Sequence, residues 1–205
     1  MSTKALDRKP LFIVVDGGDG SGKDTQVKQI ARYYLANGYE NIRIRSHPAT
    51  DNPLGQKAKI ALEEGTGIKG YLMAAFFYAT DVIRSLVKYY RHDNVVLIFS
   101  RYLLGVCYLP SSLVFFGYSF FSKILPTSRY SFYLDVSPEI AKKRISQRGI
   151  KEEMFEELSR LRKMRRKMLL VTNRKDWFRI DGDGSPKEVW NQIKQILIQL
   201  DSNVI

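Results

Sequence analysis

Apolar and polar positions along this 205-residue chain fall into two textures that alternate from one end to the other. Residues 11–15, 94–100 and 130–136 form short, nearly unbroken apolar runs rich in Val, Ile, Leu and Phe. Runs of that length and composition predict strands buried on both faces. Residues 41–46 (Asn-Ile-Arg-Ile-Arg-Ser) alternate, as a strand with one wetted face does, and residues 177–180 read as a short final strand. Between these runs the apolar positions recur at helical spacing. Val27, Ile30, Ala31 and Tyr34 follow Lys23; residues 57–64 read as a helix stopped by Gly65; residues 70–91 read as a long helix dense in aromatics. Ser137 and Pro138 supply a cap and a first-turn proline for a helix running to Gly149. Residues 152–171 predict a basic helix. Ser185-Pro186-Lys187-Glu188 is a capping box, and Val189, Ile193, Ile196 and Leu200 are the apolar stripe of the helix it opens. Strands alternating with helices predict a single α/β domain with a parallel sheet covered on both faces. Ligands bind such sheets at the carboxyl ends of the strands. Residues 16–25, Ser46, His47, residues 100–102 and Asp181 fall at those ends.

The most informative stretch follows the first strand. Gly17, Gly18, Gly20 and Gly22 crowd together ahead of the helix that starts at Lys23. Glycines allow positive φ and leave no side chain between backbone N–H groups and an anion. A helix N-terminus adds unpaired N–H groups and the positive end of its dipole. Lys23 brings a point charge to the terminal phosphates of a nucleotide. Gly17, Gly22 and Lys23 match the phosphate-loop pattern G-x-x-x-x-G-K-[ST], while Asp24 stands where a metal-binding hydroxyl is expected and Thr25 follows it. A glycine-rich turn without a ligand is the plain alternative, and the flanking strand and helix speak against it.

Charge sharpens this picture. Lys and Arg number 33 against 21 Asp and Glu, a formal net charge of +12 that favours anionic partners. Much of the excess lies in residues 160–175, where the run 160–167 lacks the interleaved aromatics of a nucleic-acid groove. A lid-adjacent surface is the expected reading, with no nucleic-acid partner. The single Cys107 excludes an internal disulfide and suits a reducing, cytoplasmic compartment. Two histidines and one cysteine leave no zinc constellation. The first ten residues are polar, without the apolar core of a signal peptide. Residues 102–121 carry no charge, a length that raises a membrane span. Gly105, Pro110, Ser111, Ser112 and Gly117 interrupt that segment, and it lies between two strands of one sheet. A buried or partner-covered helical pair, with a homodimer as one form of partner, is expected instead.

Taken together, these residues resemble thymidylate kinases, within the P-loop nucleoside monophosphate kinases, over nearly the whole length. The likeness rests on Phe12 through Lys23, on Pro53-Leu54-Gly55, on Phe77-Tyr78-Ala79-Thr80 and on Arg101-Tyr102 at a strand end. It continues through residues 132–139 (Phe-Tyr-Leu-Asp-Val-Ser-Pro-Glu), Arg144 and Arg148, and Ile180-Asp181. The resemblance implies a P-loop NTPase three-layer sandwich with a five-stranded parallel sheet, a lid at about residues 145–158, ATP and Mg²⁺ as cofactors, and a nucleoside monophosphate as acceptor. By position, it implies that Gly17, Gly18, Asp19, Gly20, Ser21, Gly22, Lys23, Asp24 and Thr25 hold the donor phosphates. Asp19 would also meet the acceptor's 3′-hydroxyl, Phe77 would stack on its base, Arg101 would hold its phosphate and Tyr108 would lie near its sugar. Arg144 and Arg148 would clamp the migrating phosphoryl group from the lid. The plain rivals are a core role for Phe77 and a solvated helix face for the two lid arginines.

Several positions depart from the family pattern. Besides Asp24, Ser100 replaces the Asp of Asp-Arg-Tyr, Ser46-His47-Pro48 replaces the Arg-Glu-Pro of the acceptor loop, and Asp81 stands where the pattern carries Arg. Carboxylate and hydroxyl are thus exchanged between Asp24 and Ser100, both expected to face Mg²⁺. An ionised Asp81 only accepts hydrogen bonds. It predicts an amino-bearing base over thymine, with Arg84 one turn on as the alternative reader or as Asp81's salt-bridge partner. Three functions stay open at this point: a nucleoside monophosphate kinase, a kinase of another small metabolite on the same fold, and a nucleotide-binding regulator without turnover.

Overall fold

A computed structural model of the chain describes residues 10–64, 67–90, 95–147, 154–173 and 177–202. The elements run β1 (Leu11–Gly17), α1 (Lys23–Ala36), β2 (Asn41–Ser46), α2 (Pro53–Glu64), α3 (Gly67–Tyr89) and β3 (Val95–Ser100). A 3-10 helix (Leu103–Tyr108) leads into α4 (Ser111–Ile124), followed by β4 (Tyr130–Asp135), α5 (Pro138–Ser146), α6 (Met154–Thr172), β5 (Phe178–Asp181) and α7 (Pro186–Ser202). The five strands form one parallel sheet in the order β2-β3-β1-β4-β5.

Because side chains alternate across a strand, each strand feeds two cores. Ile13 and Val15 of β1 pack with Val27, Ile30 and Tyr34 of α1 and with Ile193 and Leu197 of α7. Val14 faces the other way, joining Leu97, Phe99, Leu104, Val114, Tyr133 and Met168 under α3, α4 and α6. The result is the expected three-layer sandwich. β3 and β4 are buried at every position, the mark of central strands that must be apolar on both faces. Register levels the carboxyl ends: Val15 and Ser46 both pair with Ser100, and Asp16 pairs with Tyr133. The loops that leave those ends therefore share one rim.

The bounds of α2 and α5 differ from the sequence pattern. α2 starts at Pro53 because the Asn52 carboxamide oxygen accepts from Leu54 N at 3.1 Å and Gly55 N at 3.0 Å, capping the helix ahead of a first-turn proline. α5 stops at Ser146, and most of the anticipated lid, Arg148 included, lies outside the described residues. Residues 102–121 form the 3-10 helix and most of α4; among the described residues no helix is long and apolar enough to cross a membrane. The expected capping box is present: Ser185 N donates to Glu188 Oε2 at 2.7 Å and Glu188 N donates to Ser185 Oγ at 3.3 Å.

Candidate active site

The glycine loop closes as its spacing requires. Gly20 and Gly22 hold φ of 75° and 86°, values that favour glycine. A Cβ on Gly20 would also run into the backbone of Ala141, so the loop rests directly on α5. Gly22 caps α1, and Thr25 N and Gln26 N both donate to its carbonyl at 3.1 Å. Lys23 is buried, and its ammonium donates to Gly17 O at 2.8 Å, Gly18 O at 2.6 Å and Ser21 Oγ at 3.4 Å. Burial, with Arg101 nearby, lowers its pKa to about 8. The loop thus holds a cation that phosphate oxygens would keep protonated.

Arg101 faces this loop from the end of β3. Its guanidinium lies 3.5 Å from Asp19 Oδ1 and donates to Ser46 Oγ at 3.3 Å. Its backbone sits at φ 60°, the left-handed region that side chains avoid. Tyr108 stands beside the pair: burial raises its phenol pKa, and the Asp19 carboxylate adds to the rise. Ser100 is buried with its hydroxyl unpartnered, whereas Asp24 is exposed in the first turn of α1. Asp19, Lys23, Ser46, Arg101 and Tyr108, far apart in sequence, therefore meet on one rim.

The acceptor side is built differently, and Asp81 corrects the expectation drawn from it. Its carboxylate is fully buried; Oδ2 accepts from Ala49 N at 2.7 Å and Oδ1 accepts from Asn52 Nδ2 at 2.8 Å. With both oxygens committed to the loop between β2 and α2, Asp81 is an anchor of that loop and faces no base. It makes no salt bridge with Arg84 either. Arg84 keeps one buried, unpartnered guanidinium nitrogen. Arg45 grips the same loop from outside, donating to Asp51 through both terminal nitrogens at 2.7 and 3.0 Å. His47 is wholly buried against Phe99, ring centroids 4.7 Å apart, and burial lowers its pKa to about 4. It is a wall of the site. Phe77 is half-buried, with the Lys57 ammonium 5.6 Å above its ring.

Arg144 is also placed otherwise than expected. Its guanidinium donates to Gly182 O at 2.8 Å, Asp183 O at 3.1 Å and Gly184 O at 2.8 Å, with Gly20 O at 3.4 Å. It ties the phosphate loop to the turn after β5 and does not reach over the loop as a clamp. Sequence reasoning missed Asp16, Tyr78, Arg45 and Asn52. Asp16 carried a signal, an acid inside an apolar strand; Tyr78 read only as part of an aromatic helix. Asp135, at the end of β4, accepts from Arg165 at 2.7 Å and from Arg179 of β5 at 2.5 Å, and so spends one of the cations expected on the basic surface, Arg165.

Comparison with known proteins converges on one family. The family model described as thymidylate kinase matches residues 15–193. The chain is 28% identical over 200 residues to a thymidylate kinase of Leptospira borgpetersenii, covering 93% of this chain and 95% of that one. It is 25% identical over 199 residues to a probable thymidylate kinase of Pyrobaculum aerophilum, covering 91% and 95% respectively. In fold it is similar to the thymidylate kinase of Candida albicans, with a TM-score of 0.74, 17% identity, and coverage of 94% of this chain and 93% of that one.

Proposed function

The chain belongs to the thymidylate kinase family, which transfers a phosphoryl group from ATP to a nucleoside monophosphate, and we propose that thymidylate is the acceptor here. Its relatives' names support this choice, and the buried state of Asp81 removes the objection to it. The observation that carries the reading is the meeting of donor loop and acceptor arginine, with Arg101 3.5 Å from Asp19 and Lys23 buried in the same loop. In this reading the loop from Gly17 to Thr25 and Lys23 bind the donor phosphates. Arg101 and Ser46 receive the acceptor phosphate, Tyr108 and Asp19 border the sugar, and Phe77 stacks on the base. Arg84 lies two turns from Phe77 on α3, and a helical side chain leans toward the N-terminus, so its unpartnered Nη1 is the candidate donor to an oxo-bearing base. An acceptor phosphate oxygen attacks the γ-phosphorus, and the bond to the bridging oxygen breaks. Positioning and charge neutralisation carry such a step.

Mg²⁺ suits the residues present. Ser100 keeps a buried hydroxyl without a partner, and Asp24 offers a carboxylate at the start of α1. One carboxylate, a hydroxyl and donor phosphates form the hard oxygen set that this ion takes. When bound, it neutralises phosphate charge; Asp24 and Ser100 are the residues that would hold it.

A second copy is the proposed partner. Leu72, Met73 and Phe76 of α3 and Leu113, Phe116 and Phe120 of α4 are exposed, and Ala75 and Ala79 of α3 line an apolar groove with Phe121 of α4 and Leu125. Exposed apolar side chains concentrated on two helices support the reading of a protein interface. Burial pushes the Cys107 thiol up to about 12, an inert state compatible with the cytoplasm. The test of function is ADP release from ATP and Mg²⁺ across thymidine, cytidine, adenosine and guanosine monophosphates in ribo and deoxy forms. Thymidylate should give the highest kcat/KM. Absence of turnover with every acceptor would favour the regulator reading, which the exchange of Asp24 and Ser100 motivates.

A further inference from the structure

Arg101 occupies a backbone conformation that costs free energy to hold. Its φ of 60° is followed by φ −116° and ψ −104° at Tyr102, a second sparsely populated state. Such strain persists only where surrounding structure over-determines it. A buried carboxylate and a partly buried phenol, from opposite directions, do so here.

From α3, the Tyr78 hydroxyl donates to Arg101 O at 2.6 Å and leans toward Tyr102 O at 3.2 Å. Burial raises the Tyr78 pKa well above its ordinary value, so the phenol remains a donor. Its ring is seated by Gly105, where an added Cβ would collide with it. From β1, Asp16 Oδ2 accepts from Tyr102 N at 2.9 Å and Leu104 N at 3.3 Å, while Oδ1 accepts from Gly17 N at 3.3 Å. One carboxylate therefore links the first residue of the donor loop to the turn that carries the acceptor arginine. Carbonyls on one side and N–H groups on the other are both gripped, which fixes the peptide planes around Arg101.

We propose that Asp16 and Tyr78 are positioning residues that clamp the 101–104 turn in its left-handed form, aiming the Arg101 guanidinium at the acceptor phosphate and tying its placement to the donor loop. This rests on the reading of Arg101 as the acceptor-phosphate ligand. The clamp itself is a statement about backbone geometry and is testable without turnover.

Tyr78→Phe keeps the ring and removes the hydroxyl. It should lower kcat/KM for the acceptor by about 10- to 100-fold, the scale of an ångström-sized misplacement. The KM for ATP should stay within about twofold. Asp16→Asn, which replaces an acceptor oxygen by a donor, should do the same. A thermal-unfolding cycle with Arg101→Gly supplies the independent readout. Glycine adopts positive φ without strain; losing the hydroxyl lets the turn relax and recover strain only when residue 101 is Arg, so Tyr78→Phe should lower Tm in the wild type by clearly less than in the Arg101→Gly background. Equal Tm losses in both backgrounds, or equal losses of ATP and acceptor affinity, would overturn the clamp. Coupling in the cycle with no turnover on any acceptor would leave the clamp standing and remove the kinase reading. Normal turnover with wild-type kinetics for Tyr78→Phe would do the reverse.

Discussion

The donor and acceptor halves of this site are made from different materials. On the donor side, side chains rest on main chain. Lys23 lies on the carbonyls of Gly17 and Gly18, and Arg144 lies on those of Gly182, Asp183 and Gly184. On the acceptor side, side chains hold one another or a distant backbone. Asp81 holds Asn52 and Ala49, Arg45 holds Asp51, and Tyr78 holds Arg101. A backbone cradle needs glycines at fixed offsets and one lysine, and it tolerates change elsewhere. A side-chain network fixes its members to one another, so a change at one position is felt at several. A change at Asp81 therefore reaches Asn52 and the whole loop between β2 and α2, whereas a change beside the donor glycines need not spread.

The sharpest way to test the donor half is Lys23→Ala. Loss of the buried cation should lower kcat by about 10³-fold, the scale for removing one preorganised charge stabiliser. Steady-state ADP release checks it. The next test lies on the border between the halves. Asp24→Ser should raise the Mg²⁺ concentration for half-maximal activity by roughly tenfold, and Ser100→Asp in that background should restore part of it. Additive losses in the Mg²⁺ titration would show that the two positions are independent and that the border is drawn in the wrong place.

A smaller effect comes from His47. Its folded-state pKa lies near 4, below the ordinary 6.5, because burial disfavours the charged ring. The unfolded chain therefore binds more protons between those values, so stability rises with pH across that window. The His47 contribution is complete above pH 6.5 and is lost as pH falls toward 4. Thermal unfolding from pH 7 to pH 4 should show Tm falling across this window, and His47→Gln should flatten that part of the curve. An unchanged slope in the variant would place the acid sensitivity in the carboxylates instead.

What was legible in the sequence follows the same division. The strands, the long helices, Gly20, Gly22, Lys23 and the capping box at Ser185 could be read because their causes are local: periodicity, glycine spacing and caps. The start of α2 was missed because its cap, Asn52, is itself held by Asp81, 29 residues away. Asp81 was misread for a related reason. An isolated carboxylate on a helix gives no sign of which way it faces, and only the β2–α2 loop folding over α3 supplies its two donors. Arg144 looked free because its partners are backbone carbonyls, which no sequence pattern displays. Tyr78 was hidden in an aromatic run, since its task depends on the strained turn at Arg101 rather than on its neighbours.

The central claim is that Asp81 anchors the acceptor loop and does not read the base. Its most direct test is kcat/KM for thymidylate and deoxycytidylate, measured on the wild type and on Asp81→Asn, which retains one acceptor oxygen. An anchor predicts that thymidylate is preferred by the wild type and that the variant loses activity on both acceptors alike, through higher KM, with the ratio between them preserved. A base reader predicts that the ratio shifts or inverts in the variant, and that result would contradict the account.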